Sequence, residues 1–316
     1  DGADGADGAD GADGADGAAA AGLGMGVAQE DAHDAVEGFA RSRVEMALAG
    51  VGSEFGLAPG EGAHGEGEAA ARTLEELSVY AGAMGGMRRA VGVWRRQGVV
   101  VFPSLIGADA IGRLREHARI ASSVPLHAID RSANIRAPTN RSLRALALAD
   151  AAEAIGAMGT ALALFLSGAM LDERQLVLEA AAYRASPGAT AQEWHRDDGV
   201  LDTRLASVQL SLVDTTSEQG ALEVVPASHT HAERPENAPQ SVAIAVPAGT
   251  VVFYSPNLVH RGRANVLQEE RVAMTLNLMG ESGLVPSGIP LAVEPEDAGR
   301  WWLDGGKLTK TLTQLV

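Results

Sequence analysis

From about residue 175 to 280 the sequence breaks into short apolar or alternating runs, separated by Gly, Pro, Asp, Asn and Ser. The runs at 176–184, 191–196, 206–213, 221–225, 241–246, 250–254 and 271–279 each read as a strand. That density predicts a mainly β fold with flanking α-helices, built on a double-stranded β-helix (a jelly-roll or cupin-like core). One run says more. Ser207, Gln209 and Ser211 alternate with Val208, Leu210 and Leu212, so one face of that strand is polar. Such a face meets either solvent or, in this fold, the barrel lumen. On the second reading Gln209 is a candidate binding residue inside the lumen.

Within the strand-rich half lies Gln192-Glu193-Trp194-His195-Arg196-Asp197-Asp198-Gly199. In an extended segment His195 and Asp197 project on one face, so an imidazole and a carboxylate converge as two ligands of a divalent metal do. By itself H-x-D is a common pair, equally a strand-end salt link. A third ligand is available in His260, which follows the run Gly249 to Val259. Two histidines and one carboxylate form a facial triad that leaves three metal positions open and suits non-haem Fe(II). Eleven residues beyond His260, Arg271 opens the apolar run 272–278. A hairpin-like pair of strands would place Arg271 beside His260, where its guanidinium suits a carboxylate held bidentately.

These elements resemble the phytanoyl-CoA dioxygenase family of Fe(II)/2-oxoglutarate oxygenases. The resemblance rests on His195-x-Asp197, the distal His260, Arg271 and the segment Glu218 to His229, similar to the family's NG-x-L-x-V-x-PGSH. It covers about residues 90 to 300, in the family's order. Ala227 replaces the usual Gly of PGSH, Gln219 the usual Asn, and Arg261 follows the distal histidine where Gly is common. The resemblance implies a dioxygenase with Fe(II) on His195, Asp197 and His260. Its cosubstrates are 2-oxoglutarate and O2, with Arg271 pairing the far carboxylate of 2-oxoglutarate. It implies hydroxylation of a small organic or lipid-like substrate with release of succinate and CO2. Related halogenases carry a small residue where Asp197 stands, which favours oxygen transfer here. Two other classes fit the same triad: a metal-binding jelly-roll module without catalysis, and a Zn(II) hydrolase, which has no need of Arg271.

The remaining sequence sets limits. Net charge is −16, with 25 Lys+Arg against 41 Asp+Glu, which argues against a general nucleic-acid or anionic-membrane surface. There is no Cys, hence no disulfide framework and no thiolate metal site. Residues 1–22, an Asp-Gly-Ala repeat, cannot bury a core and read as a disordered tail. Residues 23–72 read as an appendage: a helix at 28–49, then a Gly-rich linker. Residues 73–316 read as the oxygenase domain, with helices at 73–84, 86–97, 109–121 and 141–171 and a first strand at 98–103. The uncharged stretch 154–171 is long enough for a short membrane span but is diluted by Gly, Ser and Thr. A core helix is expected there, and no span. The chain opens on Asp1 rather than Met; a soluble intracellular protein is the expectation, with targeting and oligomeric state unread. Trp301-Trp302 is expected to close over the barrel. His229-x-His231 is a rival same-face pair, more naturally structural within its segment. Arg184, Arg196, Arg204, Arg261 and Arg263 read as surface or ion-pairing residues. No G-x-S-x-G, Walker or dinucleotide fingerprint is present.

Overall fold

The computed structural model describes residues 74–82, 85–120, 140–170, 172–197, 204–230, 241–283, 297 and 299–312. The expected tail, the helix at 28–49 and the Gly-rich linker lie outside the described residues, as do His33, His64, His127 and His231. The element order is α1 (Gly86–Gln97), β1 (Val99–Phe102), α2 (Ala108–Ile120), β2 (Arg141–Ala145), α3 (Leu148–Met170), β3 (Arg174–Ala185), β4 (Leu205–Ser211), β5 (Leu222–Val224), β6 (Val242–Ile244), β7 (Val251–Tyr254), β8 (His260–Gly262), β9 (Arg271–Gly280), β10 (Trp301–Asp304) and β11 (Lys307–Lys310). An eight-stranded sheet runs β1-β7-β4-β9-β3-β10-β11, with β2 also on β3; a three-stranded sheet runs β6-β5-β8. Pairing within both sheets is antiparallel. This is the expected double-stranded β-helix core with flanking helices.

The helices cover the outer face of the large sheet, because each strand alternates. Val208 and Leu210 of β4 and Val272, Met274, Leu276 and Leu278 of β9 belong to the main apolar core. Their polar neighbours Ser207, Gln209 and Ser211 turn inward. Helix α3 lays Ala151, Ile155, Met158, Leu162, Phe165 and Ala169, at three- and four-residue spacing, into that core. Phe165 is its pivot. Its ring meets those of Phe102 and Phe253 edge-on at 5.1 and 5.0 Å, and that of Trp94 at 6.2 Å. Helix α1 ends at Gly98, whose φ of 69° and N–H to the Trp94 carbonyl (2.8 Å) turn the chain directly into β1. By length and composition α3 also meets the requirement for a membrane span over Leu148–Ala169. Its apolar side, however, is the side packed on the sheet.

Four sequence expectations are corrected. Residues 141–145 are not helical: they form β2, paired with β3 from Arg141↔Ala185 to Ala145↔Ala181. A five-residue segment of near-neutral propensity follows the long strand beside it. The helix expected at 73–84 covers only 74–77 among the described residues. Ser78 leaves it to bridge Val101 in parallel. The 191–196 run is not a regular strand; it makes a single bridge, His195↔His260. Trp301-Trp302 does not close over the barrel. It lies in β10, which adds to β3 through Trp302↔Leu176 and continues into β11, so the C-terminal hairpin widens the large sheet. Strand β11 is the outer edge and carries both lysines of the chain, Lys307 and Lys310, which suits an edge that must not recruit another strand.

Candidate metal centre

The two sheets face one another across the lumen, and that corrects the expected relation of His260 to Arg271. They are not partners in a hairpin. His260 opens β8 in the small sheet, and Arg271 opens β9 in the large one. They approach the lumen from opposite walls.

On the small sheet, β8 pairs with β5 on one side, and on the other His195 and His260 exchange both backbone hydrogen bonds at 3.0 Å. The segment before His195 is clamped to β8 as well. The Gln192 N–H donates to the Gly262 carbonyl (2.9 Å), and the Gly262 N–H donates to Gln192 Oε1 (2.7 Å). Position 262 is crowded: a Cβ there would lie 2.7 Å from Arg141 Nη1, 2.8 Å from Gln192 Oε1 and 3.0 Å from Tyr183 Oη, so these side-chain ends would have to shift. Asp197 is held by its N–H to the Pro256 carbonyl (2.8 Å). Arg196, between the two candidate ligands, points the other way. Its Nη1 donates to the carbonyls of Ser228 (3.0 Å) and Asn257. Ser228 Oγ in turn accepts the Val259 N–H (2.8 Å), next to His260. The segment that resembles PGSH is therefore a brace for the distal histidine.

The brace presents three donor atoms to one point. The ligand atoms of His195, Asp197 and His260 all lie within 4.8 Å of one another. Asp197 Oδ1 is 3.6 Å from His195 Nε2 and 3.5 Å from His260 Nε2. Each Nδ1 faces a backbone carbonyl, Glu193 for His195 (2.8 Å) and Leu258 for His260 (2.9 Å). A carbonyl only accepts, so each Nδ1 carries the proton and each Nε2 offers its lone pair inward, the second-sphere arrangement typical of metal-binding histidine. The nitrogen–oxygen gaps are too long for hydrogen bonds. They are slightly wider than the spacing of about 3 Å that follows for ligands about 2.1 Å from a shared ion at right angles. The residues fit a divalent metal.

On the opposite wall Arg271 is buried, at 2% exposure. It donates to the Gly220 carbonyl and to Gln209 Oε1, each at 2.7 Å. Gln209 therefore faces the lumen, not solvent. Burial, and then the neighbouring Arg141, push the Arg271 pKa below its usual value, with Tyr183 opposing. Arginine remains charged regardless. Among the described residues no carboxylate pairs with Arg271 or with Arg141. Arg141 donates to the carbonyls of Thr190 (2.9 Å) and Arg263 and to the Tyr183 hydroxyl. The Tyr183 ring lies 5.9 Å from the Arg141 guanidinium and 5.2 Å from that of Arg271. Sequence reading missed Arg141 and Tyr183. Arg141 stood in a stretch read as helix, and only its pairing in β2 brings it to the lumen.

Tyr254 closes the metal side. Its ring centre is 4.9 Å from that of His260. Burial, with the charges of Asp197 and Glu179, raises its pKa well above the ordinary phenol value, so it stays a neutral hydrogen-bonding group. The rival features are structural. His229 sits in a 3-10 turn (Ser228–Thr230). Arg184 pairs with Glu270 at 3.2 Å, and Arg261 and Arg263 both pair with Glu223, at 2.7 and 2.9 Å. Arg204 donates to the Ser282 carbonyl at 2.6 Å.

Solved structures of similar fold include the epimerase SnoN in complex with Fe3+, alpha ketoglutarate and nogalamycin RO. Identity is 19% and the TM-score 0.53, over 72% of this chain and 95% of that one. They also include the non-heme alpha ketoglutarate dependent carbocyclase SnoK from nogalamycin biosynthesis. There identity is 20% and the TM-score 0.50, over 67% of this chain and 95% of that one. At that identity they speak for the fold alone. The family model for phytanoyl-CoA dioxygenase (PhyH) matches residues 94–273, more than half of the chain, and spans His195, Asp197, His260 and Arg271. The chain therefore belongs to the phytanoyl-CoA dioxygenase family.

Proposed function

We propose that this oxygenase hydroxylates a small organic substrate, with iron held by His195, Asp197 and His260 and 2-oxoglutarate received by Arg271 and Gln209. The supporting observation is the pairing of an open His-Asp-His cluster with a buried guanidinium on the facing wall that meets no carboxylate among the described residues. A buried cation held only by neutral acceptors is costly, and a dicarboxylate supplies the missing charge. The bound iron, with 2-oxoglutarate and O2, supplies a two-electron oxidation of the substrate with release of succinate and CO2. The chain's own residues orient and exclude. The two Nδ1–H contacts fix the imidazole planes. Gln209 holds the Arg271 fork from the side, and Arg141 adds positive charge at the same end. The buried strands keep water out. Asp197 fills the third protein position, so oxygen transfer is favoured over halide transfer, and no chlorinated product is expected in chloride buffer. Arg271 also weighs against a Zn(II) hydrolase, which would leave that charge without purpose.

The test is an anaerobic titration of 2-oxoglutarate into the Fe(II)-loaded protein, following the metal-to-ligand absorption band. Wild type should saturate with one equivalent per iron. Arg271→Lys keeps the charge and loses the two-pronged geometry, so it should need roughly tenfold more or above, about 1.4 kcal/mol. Equal affinities would remove Arg271 from the site. A collapse in Tm would show instead that Arg271 serves folding.

A further inference from the structure

The residues next to the two histidines face the other way. His195 and His260 turn toward the shared point in the lumen, so Trp194 and Arg261, one position along each segment, project from the outer face of the small sheet. There they meet: the Arg261 guanidinium lies over the Trp194 ring, 4.3 Å from its centre. Arg261 Nε donates to Glu223 Oε2 at 2.7 Å, across the register pair Glu223↔Arg261 of β5 and β8. Glu223 Oε1 accepts from Arg263 Nη1 (2.9 Å) and from Ser241 Oγ (2.8 Å), just before β6. Arg263 Nε continues to the Ser217 carbonyl (3.2 Å). One ladder of side chains therefore crosses the back of the small sheet, from the His195 segment through β8 and β5 to the start of β6.

This ladder stands behind both candidate ligands, where the backbone alone holds them loosely. His195 meets β8 through a single bridge, His195↔His260. The contacts between Gln192 and Gly262 fix the segment along its length. Neither resists a tilt of the segment about its own axis, which would swing the His195 ring relative to the His260 ring, 4.4 Å away between centres. A planar guanidinium stacked on an indole does resist it, and Glu223 fixes the plane of that guanidinium. The carboxylate is itself firmly held, at 4% exposure. Burial alone would raise its pKa, but the Arg261 and Ser241 hydrogen bonds and the Arg263 charge bring it below the usual value. Burying an ion pair adds little to stability, because desolvation offsets most of the attraction. Its effect here is on orientation.

We propose that Trp194, Arg261 and Glu223 are positioning residues for the metal ligands, and that their ladder sets the tilt of His195 against His260. Each acts through a histidine and not on the substrate. The inference rests on the proposed function only in taking His195 and His260 as metal ligands. A ladder that served folding alone would, when cut, leave the metal affinity of the folded protein unchanged. A ladder that positions the ligands makes that affinity, and the ligand field of the bound ion, depend on a flat ring at position 194 and an anchored guanidinium at position 261.

The experiment titrates Co(II) anaerobically into the full-length metal-free protein, following the visible d–d bands, with the Tm recorded for each variant. Arg261→Met keeps the length and loses both the stack and the ion pair. It should weaken Co(II) binding by about tenfold and shift the bands. Trp194→Phe keeps a ring face and should bind within about twofold of wild type, whereas Trp194→Leu should lose about fivefold. Trp194→Leu added to Arg261→Met should cost little more than Arg261→Met alone, since both cut one ladder. Wild-type affinity and bands in Arg261→Met would overturn the inference, as would equal losses in Trp194→Phe and Trp194→Leu or additive losses in the double variant. If Arg261→Met does not fold, the two Trp194 variants decide alone. Co(II) held as tightly by His195→Ala as by wild type would break the metal assignment itself. Binding lost in His195→Ala but indifferent to the cuts at positions 194 and 261 would remove only the ladder.

Discussion

The small sheet carries its chemistry on strands of three residues each, β5, β6 and β8, whereas the large sheet presents its wall on β4, β9 and β3, of 7, 10 and 12 residues. Three-residue strands cannot fix side chains by register alone. The metal wall is instead held by individual contacts: Gln192 on Gly262, Arg196 on two carbonyls, Ser228 on Val259, and each imidazole on a carbonyl. The opposite wall needs few such pins. Pairing along β3, β9 and β4 places Arg271, Gln209, Asn277 and Ser207 on one face, and the helices behind supply the stability. Precision in one wall is polar and local; in the other it is topological and apolar.

The sharpest break between them comes from His195→Ala. It removes a candidate ligand and no member of the apolar core, so Fe(II) affinity should fall at least about a hundredfold, about 2.7 kcal/mol, with the Tm of the metal-free protein nearly unchanged. Stoichiometric iron retained by this variant would remove the cluster from consideration. Phe165→Ala should do the reverse. Emptying the junction of α1, α3, β1 and β7 should cost about 3–5 kcal/mol in denaturant unfolding. Fe(II) affinity per folded molecule should stay within about twofold. A parallel loss of iron affinity would show that the walls are energetically one unit.

Arg196→Met sharpens the contrast at an intermediate scale. Length is kept, but the donors to Ser228 and Asn257 are lost, and such supports are worth about tenfold in metal affinity. Unchanged affinity would mean that strand pairing alone holds the ligands. The smallest effect belongs to Ala227→Gly. Ala227 sits at φ 63°, a conformation glycine adopts freely. Relief of that strain should raise stability by up to about 1 kcal/mol, a Tm gain of a few degrees, with iron affinity unchanged. A lower Tm would show that the methyl group packs usefully.

The same contrast explains what could be read from the sequence. The long strands β3, β4 and β9 were legible as apolar or alternating runs, and in β4 the six residues Ser207 to Leu212 carry their own period of two. The cluster of candidate ligands was legible through H-x-D and the family segment, not through any strand pattern, since β8 is three residues long and the His195 segment pairs by one bridge. Adjacency in sequence misled where topology crosses between sheets, as for His260 and Arg271. Arg141 was illegible because nothing local distinguishes β2 from the helix after it. The face taken by Glu179 was illegible because the register between β3 and β9 shifts between Val177 and Glu179, and single-strand alternation has no way to register a bulge.

The C-terminal hairpin has a practical consequence. Lys307 and Lys310, the only lysines of the chain, both lie on β11, where Lys310 Nζ contacts Asp297 at 2.7 Å and the Trp301 ring at 5.3 Å. A lysine-specific protease therefore has just two addresses, both on the outermost strand. Cleavage there requires β11 to peel from β10, so the cutting rate reports the local opening of that edge. Everything from Asp1 to Lys307 would survive as one fragment, and the loosening of a single strand could be timed while the rest of the protein stays silent.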